Sequence, residues 1–242
     1  MEAKILDLGA INGQISVQIV RKNIKNIHLK VFRSLEVVLS VPMNITTEWI
    51  DSFLEGHVEW IDGQITKYKK ASGHNNLSGI RSGSSTQFLG KDIRIYKEAS
   101  LKNCVKKDEK RVCIFVKDIN DEELAQRLFG EWWRTVANQV FQVEMEKLYQ
   151  KIFKKYNLSQ PHIVVRKMKT LWGSCTPAKG KITLNEYLLK ADIRCIQYVI
   201  LHELTHLKYP NHSKDFYNFL TIHMPDWKER KRQLDNEVVQ GL

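Results

Sequence analysis

Two histidines and a glutamate lie within one turn of a predicted helix near the end of the sequence. They form the segment His202-Glu203-Leu204-Thr205-His206. Side chains four residues apart on a helix lie about 40° apart on one face, so both imidazoles can bind one metal ion. Glu203 lies about 100° around from His202, where a base acting on metal-bound water is placed. The spacing therefore predicts a metal-dependent hydrolytic site.

A third histidine follows where the chain must turn. Tyr209-Pro210 ends the helix because proline clashes with the preceding helical turn, and His212 comes six residues after His206. Three imidazole ligands leave the fourth tetrahedral position open for water, which is typical of catalytic rather than structural zinc. We therefore predict that His202, His206 and His212 bind Zn²⁺ and that Glu203 is the general base for the attack of zinc-activated water on a carbonyl. Histidines that are ordinary residues of a helix are the simpler alternative.

The elements that must position these residues are predicted from hydrophobic periodicity. In the last third of the chain they are a strand at 162–168, a loop at 171–175, a strand at 181–184 and helices at 192–209, 213–223 and 226–238. A long helix is predicted from 121 to 156, with an apolar face that includes Leu124, Leu128, Trp132, Val136, Val140, Leu148 and Ile152.

The first half of the chain is predicted to be rich in strands, without an internal repeat. Strands are expected at 13–20, 26–32, 35–41, 87–90, 92–96, 101–105 and 111–116, with a helix over 46–68 and a Gly, Ser and Asn-rich loop at 72–85. We place a domain boundary near residue 119. A strand-rich N-terminal region (1–118) then precedes a catalytic domain (119–242).

Composition limits the class of protein. The chain has 242 residues, of which 43% are hydrophobic and 27% charged, as expected for a packed globular protein. No apolar stretch approaches the roughly 18 residues that span a bilayer, and the start lacks the layout of a secretion signal, so we expect a cytoplasmic protein without membrane contact. Four cysteines without a CxxC pair are too few for a disulfide scaffold or a cysteine-based zinc site.

Two segments resemble a known family. HELTHLKYPNHSKDFY (202–217) is similar to the zinc-site segment of the YgjP-like metallopeptidases, a branch of the zincins that is also similar to the SprT-like proteases. WGSCTPAKGKITLN (172–185) matches the block before the helix, and a looser likeness extends upstream through Leu89-Gly90 and Trp60-Ile61. Tyr217 departs from the tryptophan that is frequent in the family. The resemblance implies an α+β, zincin-like fold, a peptidase that acts on proteins or peptides, His202, His206 and His212 as zinc ligands and Glu203 as catalytic base.

Several functional alternatives remain open in the sequence. The formal charge of +11 and recurrent Lys/Arg clusters allow a DNA-associated protease, although scattered solvated charges are the usual interpretation. A hydrolase of a non-peptide amide is a second alternative, because it would have the same motif. A non-enzymatic binding module is a third, and the intact Glu203 argues against it. A substrate peptide is predicted to add a strand at 166–170 or 181–184. The segment Trp172-Gly173-Ser174-Cys175 either lines the cleft or forms a tight turn, and Tyr209, Tyr217 and His223 are candidate oxyanion donors.

Overall fold

The protein is built from helices and three small sheets, the mixed architecture that the sequence predicts. The computed structural model describes residues 2–9, 12–32, 35–71, 82–168 and 171–237. Most of the loop predicted at 72–85 lies outside the described residues. The chain divides into two compact units, Met1–Gly73 and His74–Leu242.

In the residues that the structure describes, the first unit has one sheet and two helices. Its elements are β1 (Glu2–Asp7), β2 (Gln14–Lys22), β3 (His28–Val31), β4 (Val37–Pro42), α1 (Thr47–Glu55) and α2 (Val58–Ala71). The strand order is β1-β2-β4-β3, and the β2–β4 pair is parallel while the other two pairs are antiparallel. Alternate side chains such as Val17 and Leu39 pack with Ile50 and Leu54 in a core of their own. The three predicted strands are confirmed, and β1 is an additional one.

The helix predicted over 46–68 is two helices, because the chain changes course at Gly56. The backbone N–H of Gly56 bonds the carbonyls of Ser52 and Leu54 and ends α1. The N–H of His57 then reaches back only three residues, to Leu54. Glycine weakens a helix at such a point because it has no side chain to pack and a large backbone entropy to lose.

The described part of the second unit contains the other two sheets and four α-helices. Its first strands are β5 (Ser85–Phe88), β6 (Lys91–Ala99), β7 (Cys104–Lys107) and β8 (Arg111–Val116). Its later elements are α3 (Glu122–Leu148), β9 (His162–Arg166), β10 (Gly173–Thr176), β11 (Lys181–Asn185), α4 (Ile193–Thr205), α5 (Lys214–His223) and α6 (Trp227–Glu237). The predicted helices after residue 190 are thereby confirmed, although α4 ends four residues earlier than predicted.

The first sheet of the second unit has the topology of the sheet in the first unit. Its order is β5-β6-β8-β7, with β6 and β8 parallel and the two outer pairs antiparallel. The strand pattern therefore recurs within the chain, although the sequence gives no sign of a repeat.

The compact units divide after Gly73, whereas the sequence suggests a boundary near residue 119. The physical reason is a shared core, since Ile95 and Ile114 of the β5–β8 sheet belong to the same cluster as Trp133 of α3. The turn between β5 and β6 also donates two backbone hydrogen bonds to the segment before α4, from Leu89 and Gly90. The assignment of catalysis to residues 119–242, with 1–118 as a preceding region, stays a prediction.

The long helix α3 supports the segment that leads to the predicted site. It continues through a π-helical turn (Tyr149–Phe153) and a short 3-10 turn (Lys154–Tyr156), which matches the predicted extent. Along α3 itself the fully buried face is shifted by one residue from the predicted one, so the predicted side chains from Leu124 to Leu148 flank the core, whereas the predicted Ile152 in the π-helical turn is buried in it. The buried apolar residues of α3 are Ala125, Phe129, Trp133, Ala137, Phe141 and Met145. The indole of Trp133 donates a 2.9 Å hydrogen bond to the carbonyl of Glu186, just before α4.

The third sheet contains a strand where a loop was predicted. Gly173–Thr176 forms β10 and pairs antiparallel with β11, which pairs on its other side with β9 in parallel. β11 is therefore the central strand and β10 is an edge. None of the helices within the described ranges combines the length and apolar composition needed to cross a membrane.

Candidate metal centre and active site

Helix α4 carries the first two predicted ligands at its C-terminal end. The Asp192 side chain caps the other end of the helix by accepting a hydrogen bond from the Arg194 backbone at 2.8 Å. The apolar side of α4 is fully buried, while His202 and His206 are half-buried on an adjoining face. The burial of one face therefore determines which way both imidazoles point.

His212 joins them because the chain reverses between α4 and α5. The reversal passes through Pro210, and the Ser213 side chain caps α5 by accepting from the Phe216 backbone N–H. His212 lies directly before this cap. The ligand nitrogens of His202, His206 and His212 are all within 4.8 Å of one another, and the Nε2 atoms of His202 and His212 are 2.9 Å apart. The structure thus brings together the three predicted ligands.

The donor set fits a metal cation. Burial, and secondarily the charges of His206, His212 and Lys231, lowers the pKa of His202 to about 3. Burial also lowers the pKa of His206. Nδ1 of His206 lies 3.1 Å from the carbonyl of Tyr209, which favours the tautomer that leaves Nε2 with a lone pair. Neutral imidazole lone pairs that point at one another at short range repel unless a cation or proton lies between them.

One aromatic ring contacts all three imidazoles. The Phe216 ring centroid lies 4.9 Å from that of His202, 4.8 Å from His206 and 4.7 Å from His212, and its side chain is fully buried. It therefore forms an apolar wall behind the three nitrogens. Sequence reasoning missed Phe216, although its position four residues after His212, across the cap of α5, was an available signal.

Glu203 is buried beside the cluster and against strand β10. It is 6% exposed, and burial raises the pKa of its carboxyl group to about 8, partly offset by the backbone N–H of Cys175. A Cβ atom at Gly173 would lie 2.8 Å from both Cγ and Oε1 of Glu203. Gly173 therefore allows the strand to approach the carboxylate closely, which gives a physical reason for the glycine in the WGSC segment. A cation bound by the histidines would favour the ionised carboxylate.

These groups open into a cavity of about 530 Å³. Its walls come from the start of β10, from α4, from the turn after it and from α6. They include Leu171, Trp172, Gly173, Ser174, Cys175, Pro177, Tyr198, Val199, Lys231, Leu234 and Asp235, together with the three histidines, Glu203 and Pro210. Of the two alternatives that the sequence leaves open for the WGSC segment, the structure supports the one in which it lines the cleft. The α6 wall was missed, because its sequence has no motif.

Cys175 and the three candidate oxyanion donors lie in surroundings that favour a structural rather than a catalytic role. Burial raises the pKa of Cys175 to about 11, so its thiol stays protonated at neutral pH and is a poor nucleophile. Tyr209 and His223 pack on the Phe219 ring at 5.7 and 4.4 Å. Tyr217 stacks on Trp227 at 5.4 Å. The three candidate oxyanion donors thus have packing roles in the structure.

Several basic residues are engaged in ion pairs. The pairs are Arg21–Glu2, Arg111–Asp108, Arg134–Glu186, Arg194–Asp226 and Lys231–Asp235. This is the ordinary surface arrangement of charge, and the comparisons with known proteins give no support to nucleic-acid binding.

The mixed fold, the three-histidine cluster and the adjacent buried glutamate are the features of a metallopeptidase. Residues 25–237 match the model of the YgjP-like family, metallopeptidase domain, and the chain belongs to that family. The predicted family and zincin-like fold class are thereby confirmed, and the family supports a metal-dependent peptidase. A solved structure of the metallopeptidase zymogen of Methanocaldococcus jannaschii jannalysin is 24% identical, with a TM-score of 0.34, and the match covers 39% of this chain and 92% of that one. A search of curated proteins gave no significant match.

Proposed function

We propose that this protein is a zinc-dependent peptidase in which His202, His206 and His212 bind the ion and Glu203 is the general base. The observation that carries the proposal is the convergence of three imidazole nitrogens within 4.8 Å beside a buried carboxyl group, at one cavity. Three nitrogen ligands suit zinc among the common divalent metals, and an open fourth position suits catalysis.

Zinc, when bound, supplies a Lewis acid that polarises a carbonyl group and makes water acidic enough to lose a proton near neutral pH. The Glu203 carboxylate accepts that proton while water attacks the peptide carbonyl, and then donates it to the leaving amine. The Cys175 backbone N–H holds the carboxylate in place. Because Glu203 is buried, its side chain can adopt few rotamers. The same burial keeps bulk water from competing for the proton.

Strand β10 is the edge along which we propose that a peptide binds. The sequence suggested 181–184 or 166–170, but β11 (Lys181–Asn185) is paired on both sides and cannot accept another strand. Part of the second segment, residues 169–170, lies outside the described residues. Within the described ranges β10 pairs with β11 alone, and its other edge faces the cavity, since the backbone N–H of Cys175 points to Glu203. A substrate added there as a strand would place its carbonyls beside the catalytic groups.

Metal content and hydrolysis, measured on matched variants, test the proposal. Wild type purified without chelators is expected to contain about one zinc per chain and to cleave unfolded protein substrates. His212→Ala should lose most of the zinc, whereas Glu203→Gln should keep it and lose hydrolysis by two orders of magnitude or more. His162→Ala is the control, because His162 is exposed at the start of β9, away from the cluster.

Three results would contradict the proposal. They are absence of stoichiometric metal in wild type, equal metal content in wild type and His212→Ala, and undiminished hydrolysis by Glu203→Gln. Cleavage of small non-peptide amides by a zinc-loaded protein that leaves all peptides intact would identify the amide hydrolase instead.

A further inference from the structure

The wall of the cavity formed by α6 carries a charged pair that the proposed chemistry does not use. Lys231, Leu234 and Asp235 all line the cavity together with His202 and Glu203. They are three and four residues apart and therefore share one helix face. Leu234 is 1% exposed and anchors this face in the core. The two charged side chains are thus held at the cavity on a rigid element.

The α6 wall is fixed relative to the catalytic helix by stacked aromatic rings. Trp227 at the start of α6 stacks on Tyr198 of α4, with centroids 6.3 Å apart, and Tyr198 meets the His202 ring edge-on at 6.0 Å. A substrate group bound to α6 at this cavity would therefore have a fixed position relative to the reacting centre, because α6 is a packed helix and not a mobile loop.

The ammonium group of Lys231 has donors to spare. Its Nζ lies 2.8 Å from Oδ2 of Asp235, and the side chain of Lys231 is 53% exposed. An ammonium has three N–H donors, of which this contact uses one. An exposed pair of this kind at i, i+4 contributes roughly a factor of two to the folding equilibrium, so it leaves the remaining N–H donors of Lys231 available to another carboxylate at little cost.

We infer that Lys231 is a specificity-determining residue that binds a carboxylate of the substrate, so that the peptidase prefers peptides with an acidic group close to the cleaved bond. This inference rests on the proposed peptidase function. Asp235 acts as a positioning residue that holds the ammonium at the cavity wall. Both an acidic side chain and the C-terminal carboxylate of a short peptide have the required chemistry.

Lys231 is the side chain at the cavity that can bind an anionic substrate group. Among the described residues that line the cavity, Lys231 is the one lysine or arginine. The two acidic groups already have partners, Lys231 for Asp235 and the Cys175 N–H for Glu203. The net charge of +11 on the chain also favours encounter with acidic peptides.

The test uses the full-length zinc-loaded protein and quenched fluorescent peptides built on a sequence that the wild type cleaves. A glutamate is moved through the three positions on each side of the cleaved bond, and each peptide is compared with its glutamine isostere. A second arm compares short peptides with a free and an amidated C-terminus. Wild type should prefer the acidic member at one position, or the free terminus, by about tenfold in kcat/KM.

Variants on α6 assign the preference to Lys231. Lys231→Met should bring the acid-to-amide ratio close to one, Lys231→Arg should restore most of the wild-type ratio, and Lys231→Glu should reverse the ratio in favour of the amide member of the pair. Lys228→Met is the matched control and should keep the wild-type ratio, because Lys228 is exposed on the same helix but does not line the cavity.

A wild type that cleaves both members of every pair equally, or a ratio that Lys231→Met leaves unchanged, would overturn the inference and leave the peptidase proposal intact. A zinc-loaded wild type that cleaves no peptide would overturn the peptidase proposal itself.

Discussion

Replacement of Gly173 by alanine adds a single methyl group beside the proposed catalytic base. The added carbon would lie 2.8 Å from Cγ and Oε1 of Glu203, whereas ordinary contacts begin at 3.4 Å. Gly173 does not have a positive φ, so alanine can adopt its backbone conformation without strain. The perturbation is therefore a displacement of Glu203, or of strand β10, by about 0.6 Å or more.

The size of this displacement sets the expected loss of activity. Misplacement of a catalytic group by about 1 Å can cost 10²-fold in rate. The shift also strains the hydrogen bond from the Cys175 backbone N–H that holds the carboxylate. We therefore expect kcat to fall between about 10- and 100-fold, equivalent to roughly 1.4–2.8 kcal/mol of transition-state stabilisation. The three atoms nearest to the new methyl group all belong to Glu203, so zinc content should stay at the wild-type level.

The assay is steady-state hydrolysis of a quenched peptide, with zinc measured on the same preparations. Gly130→Ala is the matched control, because a Cβ there meets nothing within 4 Å in the interior of α3, and its kcat should equal that of wild type. A zinc-loaded Gly173→Ala enzyme with kcat within twofold of wild type would refute the argument that close approach of β10 positions Glu203. Loss of zinc in that variant would refute it as well, since the damage would then extend beyond the carboxylate.

Other perturbations follow from buried polar groups. Asn185 is fully buried and its amide donates to the carbonyls of Met168 at 2.8 Å and Leu171 at 2.9 Å, so Asn185→Ala should lower the free energy of unfolding in urea by about 2–4 kcal/mol; a change below 0.5 kcal/mol would contradict this. Burial lowers the pKa of Lys190 to about 8, below its unfolded value of about 10.4. Between these two pKa values the unfolded chain binds more protons than the folded one, so the free energy of unfolding should rise by about 3 kcal/mol as pH rises from 8 to 10.5. Lys190→Met, measured over the same pH range, should lack that rise. Cys175→Ala should keep kcat within about threefold, because the buried thiol stays protonated, and a loss above tenfold would indicate a catalytic role.

The sequence predicts those elements of the fold that depend on the local periodicity of apolar residues. Alternating strands and the C-terminal helices follow from residue spacing, and the structure confirms them. The buried face of α3 did not follow, because Leu128 and Trp132 are as apolar as the neighbouring Phe129 and Trp133. Only the partners in the core decide which of two adjacent stripes is fully buried. The recurrent strand order of the two four-stranded sheets was likewise invisible, since backbone pairing can recur without similar side chains.

The candidate site was likewise predictable from the sequence only in part. His202, Glu203 and His206 are grouped by helical spacing alone, and Pro210 signals the turn that returns His212 to them. The contributions of Gly173 and α6 depend on elements that are distant in sequence and meet only in the packed structure. Such contacts leave no local pattern in the sequence, which is why a loop was predicted for the WGSC segment.

The separate cores of the two units have a consequence for optical spectroscopy. Trp49 and Trp60 in the first unit are 40% and 46% exposed, whereas Trp133 and Trp227 in the second are 0% and 8% exposed. Indoles that already contact water change their emission little on unfolding, so tryptophan fluorescence reports chiefly the melting of the unit that contains the three histidines. Far-UV circular dichroism reports the strands and helices of both units. The two signals, recorded together during one temperature scan, distinguish loss of the N-terminal unit from loss of the unit with the candidate active site.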